Sequence, residues 1–125
     1  MQLKNAAMRF EIPVQDKERA KKFYSDNLGL KPTHENPYSI QYRYGDSYFV
    51  LTESASAGQG QYSLLTWIVE DIDTTKSELE AKGVQFENYD LPFVKTVNGI
   101  ATLDNDRVAW FKDSEGNLLA LAEMG

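Results

Sequence analysis

Arg9 and Glu11 are the residues whose types and spacing best suit chemistry. They alternate with Phe10, Ile12 and Val14 in the run Arg9-Phe-Glu-Ile-Pro-Val14, the period-two pattern of a strand with two unlike faces. If the apolar set packs, the guanidinium and the carboxylate share the other face. There they either neutralise one another or meet a ligand, with Arg9 as a bidentate anchor for a carboxylate or phosphate. Glu11 would then be a hydrogen-bond acceptor or proton carrier and the candidate catalytic group. Other polar chemistry is scarce. The chain has no cysteine, which excludes disulfides, thiolate metal sites and a cysteine nucleophile and fits a reducing cytoplasm. Its one histidine, His34, is expected in a loop after the first helix, in a surface or turn role.

Aromatic side chains are the second resource. Thr66 and Trp67 alternate, as do Trp110 and Phe111. With Phe111 and Trp67 packed inward, Thr66 and Trp110 face the same open side. Phe93 falls in a long loop. Tyr42 and Tyr44 share a parity with Ile40 and so face one way together, and the alternation alone leaves open which way. A concave face carrying Tyr42, Tyr44, Thr66, Phe93 and Trp110 beside Arg9 and Glu11 suits a planar or apolar ligand held by a few polar anchors.

The elements that must position these residues occur twice. The first copy runs from Phe10 through Val14 to Asp16, then a helix to Leu28 closed by Gly29. The second runs from Trp67 through Val69 to Asp71, then a helix to Lys82 closed by Gly83. In each, the aspartate is placed to cap the helix and the glycine to end it. Hairpins follow: Tyr38 to Tyr44 with Tyr48 to Glu53 in the first unit, and Val108 to Lys112 with Leu118 to Glu123 in the second. Ile100 to Leu103 reads as a short strand, and residues 88–99 as a long loop of the kind that serves as a lid or binding segment. Ser54 to Gln61, small and glycine-rich, reads as a flexible connector. The expectation is one domain over 1–125, with module one at about 8–54, the connector at about 55–61 and module two at about 62–125.

Composition narrows the partners. With 13 basic and 19 acidic residues the net charge is −6, which works against a phosphate-binding surface for nucleic acid. Lys17, Arg19, Lys21 and Lys22 lie on one predicted helix among acidic neighbours and read as a solvated face. The segment from Met1 to Met8 is too short and polar for a signal peptide, and no run is long enough to span a membrane.

The run Ile12-Pro-Val-Gln-Asp16, then Phe23-Tyr24, Leu28-Gly-Leu30, Val69-Glu-Asp71, Gly83-Val84 and Phe111-Lys-Asp-Ser-Glu-Gly-Asn117 resembles the glyoxalase, bleomycin-resistance and extradiol-dioxygenase superfamily, also called the vicinal oxygen chelate group. The resemblance covers nearly the whole chain. It implies an α+β fold of two βαβββ modules forming a cup-shaped mixed sheet, and a homodimer whose modules are within one chain or exchanged between two. In metal-dependent members the ligand positions correspond to Arg9, Val50, Leu64 and Ala120, none of which offers a donor to a divalent cation. Neither a metal nor another cofactor is therefore expected. The function this points to is metal-independent binding of a drug or metabolite. The alternative is a lyase or isomerase resembling lactoylglutathione lyase, using Arg9 and Glu11 or another metal site.

Overall fold

The computed structural model describes residues 2–125; Met1, where the N-terminal segment read above begins, lies outside them. The first alternating run forms β1 (Arg9–Val14), with Ile12 and Val14 buried and Arg9 and Glu11 exposed. Asp16 caps α1 (Lys17–Lys22), its Oδ1 accepting from the Arg19 N–H at 3.0 Å. Instead of continuing as a regular α-helix to Leu28, the chain widens into a π turn over Phe23–Asn27, with the Leu28 N–H donating to the Phe23 carbonyl at 3.2 Å. That turn carries two adjacent rings, Phe23 and Tyr24, edge to face at 5.7 Å, with Tyr24 fully buried.

Three strands complete module one: β2 (His34–Asn36), β3 (Ser39–Tyr44) and β4 (Ser47–Glu53), in the order β1-β4-β3-β2 with β1 parallel to β4. His34 is thus on an edge strand opposite Gln41, not in the expected loop. The Asn36 side chain explains why. Its Oδ1 accepts from the backbone N–H groups of Tyr38 and Ser39 at 2.8 and 3.0 Å, tightening the turn at Pro37 so that the residues before it pair with β3.

Module two repeats the plan. β5 (Leu65–Ile68) leads to Asp71, which caps α2 (Ile72–Ala81) by accepting from the Thr74 N–H at 3.1 Å. Then come β6 (Asp90–Leu91), β7 (Val94–Val97), β8 (Ile100–Leu103), β9 (Asp106–Lys112) and β10 (Leu118–Glu123), giving the order β5-β10-β9-β8-β7-β6. The stretch expected as a lid loop is a small β6–β7 hairpin turning at Pro92 and Phe93. Thr96 locks its base: its Oγ1 accepts from the Tyr89 N–H at 2.8 Å and its own N–H donates to the Tyr89 carbonyl at 2.9 Å.

Both sheets turn their helix-bearing faces into one core. Ile12, Val14, Ile40 and Leu51 of the first meet Ala109, Phe111, Leu119 and Leu121 of the second, with Ala20, Tyr24 and Ile72 of the helical segments between. A chain of rings crosses the junction, Phe49 on Trp67 and Trp67 on Phe111, each pair at 6.3 Å. Burial of large apolar side chains is worth about 1.5–3 kcal/mol each, so neither module keeps its core without the other.

The turn over residues 113–117 clamps the modules together. The Glu115 side chain is fully buried and accepts from the N–H groups of Gln15 and Asp16 at 2.9 and 2.8 Å, and from Arg19 at 2.7 and 3.0 Å. Asp113 accepts from the Tyr24 hydroxyl at 2.8 Å, and Asn117 donates to the Pro13 carbonyl at 2.7 Å. The connector joins this clamp and is not the free linker its composition suggests. The Gly58 N–H donates to Asn117 Oδ1 at 3.1 Å, and Ala57 is buried.

Candidate functional site

Since each sheet spends one face on the shared core, its other face is turned away from that core. On module one the outward set follows from register: Arg9, Glu11 and Pro13 on β1, Tyr48, Val50 and Thr52 on β4, and Ser39, Gln41 and Arg43 on β3. On module two it comprises Thr66 and Ile68 on β5, Ala120 and Ala122 on β10, and Val108 and Trp110 on β9.

The expected site residues separate accordingly. Arg9 and Glu11 stand together on the outward face of module one, with the Arg9 guanidinium 3.3 Å from the Glu11 carboxylate and both side chains about half exposed, at 54% and 56%. A pair that open to water contributes little to stability, about 0–1 kcal/mol, and leaves the guanidinium available to another partner. Tyr42 belongs to the core and not to the cup. It is 1% exposed and stacks on Phe49 at 5.0 Å, because the β3–β4 register sets its parity with Ile40 and Leu51. Its hydroxyl is buried without a hydrogen-bond partner among the described residues, and burial pushes its pKa up to about 12. Tyr44 shares that parity but lies at the strand end, where its hydroxyl accepts from Trp67 Nε1 at 3.0 Å.

Trp110 and Phe93 do come together. They line a cavity of about 600 Å³ on the outward side of module two with Tyr62, Tyr89, Leu91 and Lys112. Tyr89 meets Trp110 edge to face at 5.5 Å, which fixes the indole ring as one wall. Phe93 sits at the tip of the β6–β7 hairpin, 78% exposed, and Tyr62 on the connector side is similarly open. Sequence reasoning missed Tyr62 and Tyr89 because neither lies on a strand whose alternation reveals a face. Lys112 and Glu87, 3.9 Å apart, are the charges at this wall.

Thr66 lines a different hollow, a groove of about 330 Å³ between the start of the β1–β4 pair and β5. Phe10, Tyr44, Tyr48, Trp67 and Ile68 share it. Arg9 and Glu11 line neither this groove nor the 600 Å³ cavity, so one chain does not present the whole expected set to a single ligand.

The metal-ligand positions that the resemblance implies are not filled by residues that fit a divalent cation. Arg9, Val50, Leu64 and Ala120 supply no oxygen, nitrogen or sulfur lone pair suited to a divalent cation, and Val50 and Ala120 are themselves buried. Among the described residues no three His, Asp or Glu side chains converge as an alternative. Nor is any described helix long and apolar enough to cross a membrane.

Residues 7–33 match the family described as bleomycin resistance protein-like N-terminal. No curated protein is significantly similar in sequence. Solved structures are similar over the whole chain. TnmS3, an antibiotic binding protein from Streptomyces sp. CB03234, is 22% identical with full coverage of both chains and a TM-score of 0.70. A glyoxalase/bleomycin resistance protein from Catenulispora acidiphila DSM 44928 is 21% identical, covering 97% of this chain and 100% of the other at 0.68. A lactoylglutathione lyase from Agrobacterium tumefaciens is 17% identical, covering 98% and 96% at 0.68. At such identities the likeness speaks for the fold, which proteins named for binding and for lyase chemistry share. Along its whole length the chain thus has the fold of the glyoxalase/bleomycin resistance proteins, and over residues 7–33 it matches the bleomycin resistance protein-like N-terminal family.

Proposed function

We propose that the protein is a metal-independent cytoplasmic binding protein for a small aromatic molecule, and that it works as a homodimer. The observation that carries the reading is the cavity walled by Trp110 and Tyr89, whose volume of about 600 Å³ falls in the range of small-molecule sites. In this reading the cavity is half a cup. The outward face of module one, with Arg9 and Glu11, belongs to the same cup but is turned away from it within one chain, so a second copy supplies it. The similarity to an antibiotic binding protein supports sequestration. A lyase reading asks Glu11 to move a proton, yet among the described residues its carboxylate hydrogen-bonds only Arg9, and no second acid or base converges on it.

The test is calorimetric titration of naphthamide, a neutral planar probe, into the wild-type protein and Trp110→Ala. Saturable binding that weakens by roughly tenfold in the variant is expected from the loss of one stacking wall. Equal affinity in the two proteins, or no binding to either, overturns the aromatic cup.

A further inference from the structure

The outward face of module one carries a feature the aromatic wall does not explain. Register places Arg9 on β1 and Arg43 on β3 opposite the same residue, Tyr48 on β4, so the three form one transverse row, Arg9-Tyr48-Arg43. Neighbouring strands lie about 4.8 Å apart, so the two arginine backbones are roughly 10 Å from each other, with a phenol between them. The Arg43 guanidinium lies over the Tyr48 ring, 5.6 Å from its centroid, and donates to the Gly45 carbonyl at 3.3 Å. No carboxylate is within ion-pair distance of Arg43 among the described residues, while the partner of Arg9 is the half-exposed Glu11. The next row, Glu11, Val50, Gln41 and His34, adds one negative charge. In a chain of net charge −6, this face therefore carries two arginines against one carboxylate.

We propose that this row is an oxyanion-receiving site and that the ligand of the cup is an aromatic acid, its planar body against Trp110 and its carboxylate or phosphate received between the two guanidinium groups of the row. The inference rests on the cup reading, in which this face of one copy opposes the cavity of the other. Two forked donors flanking a phenol match the planar oxygens of a carboxylate and the tetrahedral oxygens of a phosphate. The Tyr48 ring and the Gly45 carbonyl hold the Arg43 guanidinium in place before any ligand arrives, so less rotamer freedom is lost on binding.

The experiment compares naphthoate, naphthyl phosphate and neutral naphthamide by calorimetry on the wild-type protein, Arg9→Gln, Arg43→Gln and the double variant. Both substitutions are at exposed positions outside the core, and circular dichroism confirms each fold. One or both acids should bind about tenfold tighter than naphthamide, by an amount charge-assisted hydrogen bonds supply. The advantage, read as the ratio of acid to naphthamide affinity within each protein, should shrink in each single variant and vanish in the double. Which acid gains more distinguishes a carboxylate from a phosphate ligand. Acids that bind no better than naphthamide, or an advantage that survives the double substitution, overturn the oxyanion site and leave the cup standing. Failure of naphthamide to bind in a Trp110-dependent way overturns the cup, and the oxyanion assignment with it.

Discussion

At the scale of single residues, the molecule spends its buried polar chemistry on holding its halves together. Burial acts to raise the Glu115 pKa, but hydrogen bonds from Arg19, the Asp16 N–H, Ser114 and the Gln15 N–H outweigh it and hold the group down at about 2, against 4.5 unperturbed. A carboxyl depressed in the folded state stabilises the fold above its unfolded pKa, and that contribution is lost as pH falls through the folded value. Its window is therefore pH 4.5 down to about 2. Asp113 has the opposite sign, since burial raises its pKa despite donors from Asn117 and Tyr24. Glu115→Gln should leave an N–H donor facing donors and cost about 2–3 kcal/mol at neutral pH, roughly 8–12 °C in Tm. The difference from wild type should narrow on acidification through this window. Thermal melts at pH 7 and pH 3 check it, and a difference independent of pH would remove Glu115 from that role. The outward placement of Arg9 and Glu11 was legible because β1 alternates cleanly. The burial of Tyr42 was not, because parity does not say which face packs; only the pairing of Ile40 with Leu51 across β3 and β4 decides it.

At the scale of elements, the signals that could be read are local ones. Asp16 and Asp71 cap helices by accepting from the third residue onward, and both caps form from side chain and backbone within one turn. The connector shows where local reading ends. Its composition says flexible, but its conformation is set by module two, some 60 residues later, through the contact of Gly58 with Asn117. Gly58 has φ +78, and a Cβ there would lie 2.5 Å from the Glu115 carbonyl oxygen. Gly58→Ala thus meets both a left-handed backbone, disfavoured by about 1–2 kcal/mol, and a clash with backbone that cannot swing aside. The expected result is a connector released from the clamp and cut by a nonspecific protease at least several-fold faster than in wild type. Cleavage at the wild-type rate would mean that the clamp holds without this seat.

At the scale of the whole molecule, a single chain leaves a surface that argues for a second. Each sheet has an edge strand whose outer side is unpaired among the described residues, β1 in one and β5 in the other, and open edges invite pairing unless charge or curvature blunts them. Both edges expose large apolar side chains. Phe10 and Ile68 line the 330 Å³ groove between them while 47% and 72% exposed, and Met8 beside β1 is 67% exposed. Because the helix-bearing faces are already consumed in the shared core, association can use these edges and the outward faces without disturbing the fold. It would bring module one of one copy over the Trp110 cavity of another, which a lone chain leaves open. Ile68→Lys adds a charge at the centre of that seam while touching nothing in the core. Native mass spectrometry should show two subunits for wild type and one for the variant, with an unchanged melting transition at low concentration where both are monomeric. Naphthamide should bind the monomeric variant more weakly, since it meets half a cup. A variant that stays dimeric would move the interface away from the β1 and β5 edges, and a wild-type monomer that binds as tightly would make the single-chain cavity the complete site.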